Sequence, residues 1–231
     1  MILLFLLFYL PGYLWPQQDL LGSSGSLCAY MLQFLIIAVP QILLLLYILA
    51  LRGREEGRGR GEGCSRETPY TGFGILRPRA KDLLYALAVF AGVFALLSLL
   101  GFILSLLPEA GRSLFTTGFR WKLEDPRLIP LVLLFCLVTG YREELFFRSY
   151  LLTRFRQLQL PALLGIGLST LLFAAGHAYQ GVAGLAVALI QGLYFSILFV
   201  RFNNIHPLAV AHGLYNAAVL VGSLFTGTIS F

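Results

Sequence analysis

Ionisable side chains lie within an otherwise apolar part of this sequence. Arg142, Glu143, Glu144 and Arg148 follow directly on the apolar run 128–139. A charged side chain at the centre of a membrane costs roughly 2.5–3.5 kcal/mol on insertion scales. Such residues persist where they pair with one another, line a polar cavity or take part in chemistry. This run therefore indicates a functional site inside a membrane.

The spacing within this run predicts different tasks for its two carboxylates. Positions i and i+4 share a helix face, so Glu144 and Arg148 are expected to form an ion pair. Glu143 is rotated from Glu144 by about 100° and is therefore left for chemistry. A positioned carboxylate of this kind can act as a general base or a general acid.

Some residues near this run are expected at the membrane surface instead. Long charged side chains close to a membrane edge extend to the polar interface, which is the expected role of Arg142, Arg154 and Arg156. His206 lies at a predicted helix start and is also expected at the interface, without a catalytic role. For Glu143 the interfacial interpretation stays open beside the catalytic one.

Two later motifs supply imidazole and amide groups. Phe173 and His177 are four residues apart, so the phenyl ring can wall the imidazole. His212 and Asn216 have the same spacing, and both can donate hydrogen bonds to an oxyanion. Alone, each motif is more typical of hydrogen bonding between helices. Together with Glu143 they contain what peptide hydrolysis needs, namely a carboxylate and an imidazole to activate water, and oxyanion donors.

The elements that must position these residues are predicted to be transmembrane helices. The chain of 231 residues is 58% hydrophobic and 12% charged, with a mean hydropathy of +0.81. About 20 predominantly apolar residues cross a bilayer. The candidate spans are 1–15, 27–51, 83–107, 128–151, 161–178, 182–201 and 206–225. An all-α, multi-pass bundle of about six to eight helices follows.

Loop charges predict how this bundle is oriented. The loop 52–82 is rich in arginine and glycine, which places it in the cytoplasm by the positive-inside rule. The loop 108–127 is nearly balanced in charge and is expected outside. The helix from 128 then runs inward, so the site should open toward the cytoplasm. We expect a protein of the bacterial inner membrane or an equivalent membrane, with the Arg-Gly loop as a flexible linker; RNA binding is the alternative for that loop.

One continuous membrane domain is expected, in three parts. They are N-terminal helices with the Arg-rich loop at 1–82, one helix with the extracytoplasmic loop at 83–127, and the catalytic core at 128–225. A signal peptide is the alternative for the first segment, although that segment lacks the positive start of a secretory signal. The three cysteines share no close spacing and predict neither a disulfide framework nor a zinc motif.

Three segments, in this order, resemble the motifs of the CAAX-processing and bacteriocin-processing (CPBP) family of intramembrane proteases: Glu143-Glu144-Leu-Phe-Phe-Arg148, Phe173-x-x-x-His177 and His212-x-x-x-Asn216. The resemblance covers roughly 128–225. It implies a helical bundle around a conical cavity in the membrane, and a glutamic endopeptidase. By this resemblance, Glu143 and His177 would activate water, while His212 and Asn216 would hold the oxyanion. By the same resemblance, the residues that would support these catalytic groups are Glu144, Arg148 and Phe173.

The leading hypothesis is therefore an intramembrane endopeptidase without a cofactor, of the type II CAAX prenyl protease kind. Its expected partners are the bilayer and a membrane-associated protein or peptide, prenylated in the CAAX case; no nucleic acid is expected. Three alternatives stay open: a zinc-dependent protease, since one Glu and two His can bind zinc, a non-catalytic immunity or scaffold protein, and a proton-coupled transporter with Glu143 as relay. The sequence leaves the substrate and the oligomeric state open.

The depth of His177 in the membrane conflicts with a simple helix. If the helix from 161 starts at the cytoplasmic edge, His177 lies about 24 Å along it, deep in the membrane. Glu143 should lie nearer the inner face, so the two residues would be at different depths. The expected solution is that this segment is tilted or ends inside the membrane. Gly176, Gly181 and Gly184 permit a break, and irregular backbone is tolerated beside a cavity.

Overall fold

The computed structural model consists of helices joined by short turns. It describes residues 24–59, 70–113 and 122–226, together with residues 6 and 115. In chain order the α-helices are α1 (Ser24–Gly59), α2 (Ala80–Ser105), α3 (Glu109–Ser113), α4 (Ile129–Glu144), α5 (Thr153–Gln157), α6 (Ala162–Ala175), α7 (Gly181–Phe202) and α8 (Ile205–Thr226). The 3-10 turns are Thr71–Phe73, Pro126–Leu128 and Ala178–Gln180, and a π-helix, Leu145–Leu152, joins α4 to α5. The described residues contain no strand, so the all-α prediction is confirmed.

Among the described residues, four helices are long and apolar enough to cross a membrane, as an integral membrane protein requires. They are Leu27–Gly53, Ala80–Ser105, Ala178–Phe202 and Ile205–Phe225. Each corresponds to one of the spans expected from the sequence. Many of their large side chains face outward, as lipid-facing residues do: Ile36 and Leu84, for example, are 73% and 68% exposed. The candidate span 1–15 lies outside the described residues, apart from Leu6.

The two other predicted spans take different forms. The segment 128–151 is α4 continued by the π-helix, a wider helix that the sequence did not predict. α6 has only 14 residues, which is too short to cross a bilayer. It ends at Ala175 and is followed by the turn that carries His177. The helix therefore ends within the predicted span, just before His177, as the expected depth of His177 required.

The predicted Arg-Gly loop is partly helical. α1 runs on to Gly59, residues 60–69 lie outside the described part, and residues 70–79 form a turn packed against the start of α8. Gly74 adopts a left-handed φ of 71°, and its carbonyl accepts a hydrogen bond of 2.9 Å from the backbone N–H of Ile205. The start of α8 is therefore fixed to this turn.

Two glycines let α4 and α8 touch through their backbones. A Cβ atom built on Gly140 would collide with the carbonyl oxygen of Ala209 and lie 2.9 Å from the backbone nitrogen of Gly213. A Cβ atom on Gly213 would lie 3.0 Å from the carbonyl oxygen of Cys136. Small residues permit such close approach of membrane helices. This contact sets the distance between the end of α4 and the polar face of α8.

Aromatic side chains form the core around the π-helix. Phe146, Phe147, Phe173 and Phe195 are each at most 1% exposed. The rings of Phe147 and Phe173 meet edge to face at a centroid distance of 5.1 Å, a favoured arrangement of aromatic pairs. This aromatic core encloses Arg148, which has no exposed surface. The charged run therefore lies inside the bundle and not at its edge.

Candidate active site

Glu144 is the centre of a buried charge network. Its Oε1 atom accepts hydrogen bonds from Arg148 Nη1 at 2.9 Å and from His212 Nδ1 at 2.8 Å. The pairing of Glu144 with Arg148 was expected from their spacing, whereas the bond to His212 was not. All three side chains are at most 2% exposed. Glu144 thus joins the π-helix to α8 and orients the imidazole of His212.

The aromatic core holds the guanidinium of Arg148. Arg148 Nη2 donates to the carbonyl oxygen of Gly192 at 3.3 Å, and its Cζ lies 4.6 Å from the centroid of Phe173. The ring centroid of Phe195, on α7, lies 5.7 Å from the same Cζ atom. Cation–π contacts of this kind are stronger when water is excluded. Arg148 is consequently a fixed, buried counter-charge for Glu144.

The side chain of Glu143 points in a different direction from that of Glu144, because adjacent residues of a helix are rotated by about 100°. Its Oε2 atom lies 3.6 Å from His212 Nε2 and 3.8 Å from His177 Nε2. Both distances exceed those of a hydrogen bond. Glu143 is 7% exposed, and its Oε2 is buried without a hydrogen bond to any described residue. One carboxylate oxygen and two imidazole nitrogens therefore face a common gap.

His177 is held by the broken end of α6. Its Nδ1–H donates to the carbonyl oxygen of Phe173 at 2.8 Å, which leaves the lone pair of the neutral ring on Nε2, facing Glu143. The Phe173 ring lies 4.6 Å from the imidazole, so it walls the ring as the spacing predicted. The distance between Glu143 and His177 is thus short, despite their separation along the predicted spans.

Asn216 is half-buried and lies one turn beyond His212 on α8. It therefore shares a helix face with His212. The structure brings Glu143, His177 and His212 together, and the i,i+4 relation places Asn216 one turn from His212 on the same helix face. The catalytic roles of these four residues stay predictions.

The structure corrects the interpretation of Arg142. This residue does not extend to the membrane surface: it is 7% exposed, and its Nε donates to Gln41 Oε1 at 2.6 Å. Its Cζ lies 5.4 Å from the centroid of Phe34. Both partners belong to α1, which the sequence did not connect with the site. A polar residue at 41, directly after Pro40 in an apolar segment, was the available signal.

The other residues expected at the interface behave differently from Arg142. Arg156 is exposed and donates to the carbonyl oxygen of Gly72 at 3.0 Å, and Arg154 is half-buried. His206 Nε2–H donates to the carbonyl oxygen of Leu76 at 2.7 Å, and the Tyr141 hydroxyl donates to its Nδ1 at 3.0 Å. His206 is therefore a link between the 70–79 turn and α4, apart from the gap at Glu143.

Metal binding was an alternative for this site. Within the described ranges, no group of three His, Cys, Asp or Glu side chains is arranged to hold a metal ion. Cys28 and Cys136 are free thiols, while Cys64 lies outside the described residues. The absence of a cofactor stays a prediction that metal removal can test.

Comparison with known proteins gives one match. Residues 125–218 match the family model described as type II CAAX prenyl endopeptidase Rce1-like. The matched range contains Glu143, Glu144, His177, His212 and Asn216. Neither the curated proteins nor the solved structures contain a match to the chain.

Proposed function

We propose that this chain is a membrane protease that cleaves peptide bonds with water activated by Glu143 and His177, because residues 125–218 match the family model described as type II CAAX prenyl endopeptidase Rce1-like. The observation that carries the proposal is the gap between the Glu143 carboxylate and the two imidazole nitrogens. A carboxylate and a positioned imidazole are common general acid–base groups. Their position inside an aromatic, buried site strengthens the electrostatic interactions between them.

The gap has the dimensions of a site for one activated water. Glu143 Oε2 and His177 Nε2 are 3.8 Å apart, so a water oxygen at about 2.8 Å can contact both atoms at once. Such a water supplies the hydrogen bond that the buried Oε2 lacks among the described residues. His177 carries its own proton on Nδ1, so its Nε2 is ready to accept one.

His212 and Asn216 are proposed to stabilise the oxyanion. The Nδ1–H of His212 is directed at Glu144, so donation from Nε2 requires a second proton on the ring. A carboxylate behind an imidazole stabilises its protonated form, as in the Asp–His pair of serine proteases. Glu144 provides that carboxylate here, and Arg148 pairs with it at 2.9 Å. The Asn216 amide is proposed as the second donor.

The reaction follows from these assignments. Glu143 and His177 accept a proton from the water, and its oxygen attacks the carbonyl carbon of the scissile peptide. The carbonyl oxygen takes up the negative charge and is held by His212 and Asn216. The carbon–nitrogen bond then breaks, and the departing amine takes the proton back from the carboxylate–imidazole pair. No covalent enzyme intermediate is needed, in contrast to a serine or cysteine protease.

The proposed substrate is a prenylated CAAX protein or peptide at the cytoplasmic face. Hydrogen bonds join the 70–79 turn to Arg156, Ile205 and His206, so the ends of α5 and α8 lie on one side of the bundle. Arginines and lysine concentrate on that side, at Arg77, Arg79, Lys81, Arg154, Arg156 and Arg201. By the positive-inside rule this side is cytoplasmic, in a multi-pass arrangement.

The decisive experiment is cleavage of a fluorogenic prenylated CAAX peptide by the protein purified in detergent. Glu143→Gln keeps the size of the side chain and removes its basicity, so we expect a loss of about 10²–10⁴-fold in kcat. Glu124→Gln, a substitution of an exposed carboxylate, serves as the matched control and should retain activity. Both variants should unfold at the temperature of the wild type.

A chelator arm separates the mechanisms. Cleavage that survives a strong chelator supports the glutamic mechanism, whereas cleavage lost with chelator and restored by zinc supports the zinc alternative. A folded wild type that cleaves no prenylated peptide would contradict the proposal and favour the immunity or scaffold alternative.

A further inference from the structure

Residues spaced four apart on α6 contact the chain segment that carries Glu143. Near the start of α6, a Cβ atom built on Gly165 lies 3.5 Å from the Cβ atom of Phe155 on α5. One turn later, Ser169 Oγ donates a hydrogen bond of 3.1 Å to the carbonyl oxygen of Phe147 in the π-helix. The spacing of four keeps these residues on one face of α6. α6 therefore packs along the π-helix and α5 through a single stripe.

The same stripe leads to the catalytic gap. The next residue in the series is Phe173, whose ring meets that of Phe147 at 5.1 Å. The one after it is His177, whose Nε2 lies 3.8 Å from Glu143 Oε2. The contacts thus advance along α6 while they run backward along the partner segment, so the two segments lie antiparallel in one register. That register sets the distance between Glu143 and His177.

The π-helix keeps the partner segment turned toward α6. In an α-helix, a step of four residues exceeds a full turn by about 40°, so a stripe of this spacing drifts around the helix. The i→i+5 hydrogen bonds of a π-helix put more residues into each turn, which offsets the drift. Glu143, Phe147 and Phe155 consequently stay on the side that faces α6. Short π-helices of this kind are frequent at functional sites.

We propose that Ser169 is a positioning residue, whose hydrogen bond to the Phe147 carbonyl fixes the register of α6 on the π-helix and so the distance from His177 to Glu143. The inference rests on the proposed function. Ser169 has no exposed surface, and its partner is a backbone oxygen, which cannot rotate away as a side chain can. Contacts between rings occur over a range of distances and angles, whereas a hydrogen bond weakens steeply when it is misaligned.

A displacement at Ser169 reaches His177 through a short, regular segment. α6 continues as a helix to Ala175, and His177 lies eight residues beyond Ser169, about 12 Å at 1.5 Å per residue. A slide of α6 along the π-helix therefore moves His177 by a similar amount. A misplacement of about 1 Å at the reacting groups can lower a rate by about 10²-fold. One hydrogen bond outside the gap thus controls the geometry within it.

The first test compares two buried serines by kcat and KM on one prenylated CAAX peptide. Ser169→Ala removes the hydrogen bond, and we expect kcat to fall by about 10–100-fold with a nearly unchanged KM. Ser196→Ala makes the same chemical change at an equally buried site on α7, where the hydroxyl has no hydrogen-bond partner among the described residues. That variant should retain the kcat of the wild type. Both are assayed at a temperature at which they are folded.

A merely stabilising role for Ser169 predicts another pattern. Ser169→Ala would then unfold at a lower temperature but keep the kcat of the wild type while folded, and that result would overturn the proposal. A loss confined to KM would overturn it as well. If Ser169→Ala does not fold, Ser169→Cys replaces it, because the thiol fills the site but is a weak donor.

A disulfide between α5 and α6 can replace the register that Ser169 provides. The 3.5 Å between the Cβ positions of Phe155 and Gly165 suits a disulfide. Phe155→Cys and Gly165→Cys are introduced together into a chain whose three native cysteines are replaced by alanine. With Ser169→Ala added, oxidation should restore most of the lost kcat, and reduction should remove it again. An oxidised variant that stays as slow as the reduced one would contradict the proposal.

Disulfide formation also separates this inference from the proposed function, because it needs no cleavage. If the wild type cleaves no peptide, the disulfide yield of the 155–165 pair is measured by mass spectrometry. The yield should be higher with Ser169 intact than with Ser169→Ala. The pair Phe155→Cys and Ile166→Cys should form little disulfide, since position 166 is rotated by about 100° from 165. Equal yields with and without the Ser169 hydroxyl, or from both pairs, would reject the fixed register.

Discussion

The two imidazoles that face Glu143 are held in different ways. His212 is 2% exposed, and its Nδ1–H donates to a carboxylate that Arg148 also contacts. The His177 side chain is 16% exposed, and its Nδ1–H donates to a backbone carbonyl at the end of a short helix. The first imidazole is fixed by a buried network of charges between two helices. The second is fixed by the end of the short helix α6, through the backbone carbonyl and the ring of Phe173.

This difference matches the two tasks that peptide hydrolysis sets. Stabilisation of an oxyanion depends on donors that are rigid before the reaction starts. Delivery of water depends on access to the gap, and the His177 side chain is the more exposed of the two imidazoles. We therefore expect changes to the buried network of Glu144 and Arg148 around His212, or to the backbone contact that positions α8, to damage the fold and the reaction together. Changes on the His177 side should damage the reaction more selectively.

Loss of the Glu144 carboxylate should have the largest effect on both stability and peptide cleavage. Glu144→Ala leaves Arg148 buried without its carboxylate and leaves His212 without its acceptor. Breaking a buried ion pair by removing one partner costs about 3–5 kcal/mol. We expect a clearly lower unfolding temperature in detergent, together with loss of peptide cleavage.

The matched control for Glu144 is an exposed carboxylate. Glu124→Ala removes the partner of Lys122, 3.3 Å away at the surface. Exposed pairs of this kind contribute about 0–1 kcal/mol, so the unfolding temperature should hardly change. If Glu144→Ala behaves like Glu124→Ala, the buried network does not stabilise the His212 side.

Asn216→Ala should affect the reaction without affecting the fold. Removal of one oxyanion donor lowers kcat by about 10²–10³-fold in enzymes that use such donors. The half-buried Asn216 can lose its amide at little cost in stability, so the unfolding temperature should stay near that of the wild type. A variant that retains its kcat would remove Asn216 from the oxyanion site.

Gly140→Ala should displace α8 from α4. The added methyl group would meet the backbone of Ala209 and Gly213, which cannot rotate away as a side chain can. Overpacking of this kind costs typically about 1–3 kcal/mol. We expect weaker thermal stability and reduced cleavage, because His212 moves relative to Glu143. Gly167→Ala on α6 meets nothing within 4 Å and should leave both properties intact.

The smallest effect is expected at Gly181, after the turn that carries His177. Its φ of 80° with ψ of −169° is a conformation that residues with side chains avoid, although the site itself is open. Gly181→Ala should cost toward the lower end of about 1–3 kcal/mol, because an exposed turn can relax. We expect a reduced kcat with a smaller fall in unfolding temperature than Gly140→Ala causes. An equal loss in stability for Gly181→Ala and Gly140→Ala would abolish the distinction between the two sides.

Local spacing was sufficient to predict the charged run and its internal pairing. Glu144 and Arg148 are one turn apart, and Phe173 walls His177 as i,i+4 neighbours do. The apolar segments likewise predicted the long helices, because length and hydropathy alone decide which segments can cross a membrane. These features depend on neighbours in sequence.

Contacts between distant segments could not be predicted in this way. Gln41 and Arg142 are 101 residues apart, and Glu144 and His212 are 68 residues apart. Such pairs depend on which helices are adjacent, and the single sequence carries no direct sign of that. The π-helix was missed because its residues follow the same apolar pattern as an α-helix. Arg142 was misplaced because its burial depends on α1, and the only sign of that in the sequence was the polar Gln41 within an apolar segment.

The most direct test of the central claim is a double-mutant comparison of Glu143 and His177. Cleavage rates of Glu143→Gln, His177→Ala and the double variant would be measured beside the wild type on one prenylated CAAX peptide. If both groups activate the same water, each single variant loses about 10²–10⁴-fold, and the double variant is no slower than the slower single variant. Losses that multiply in the double variant would show that the two groups act independently and would contradict the shared-water account.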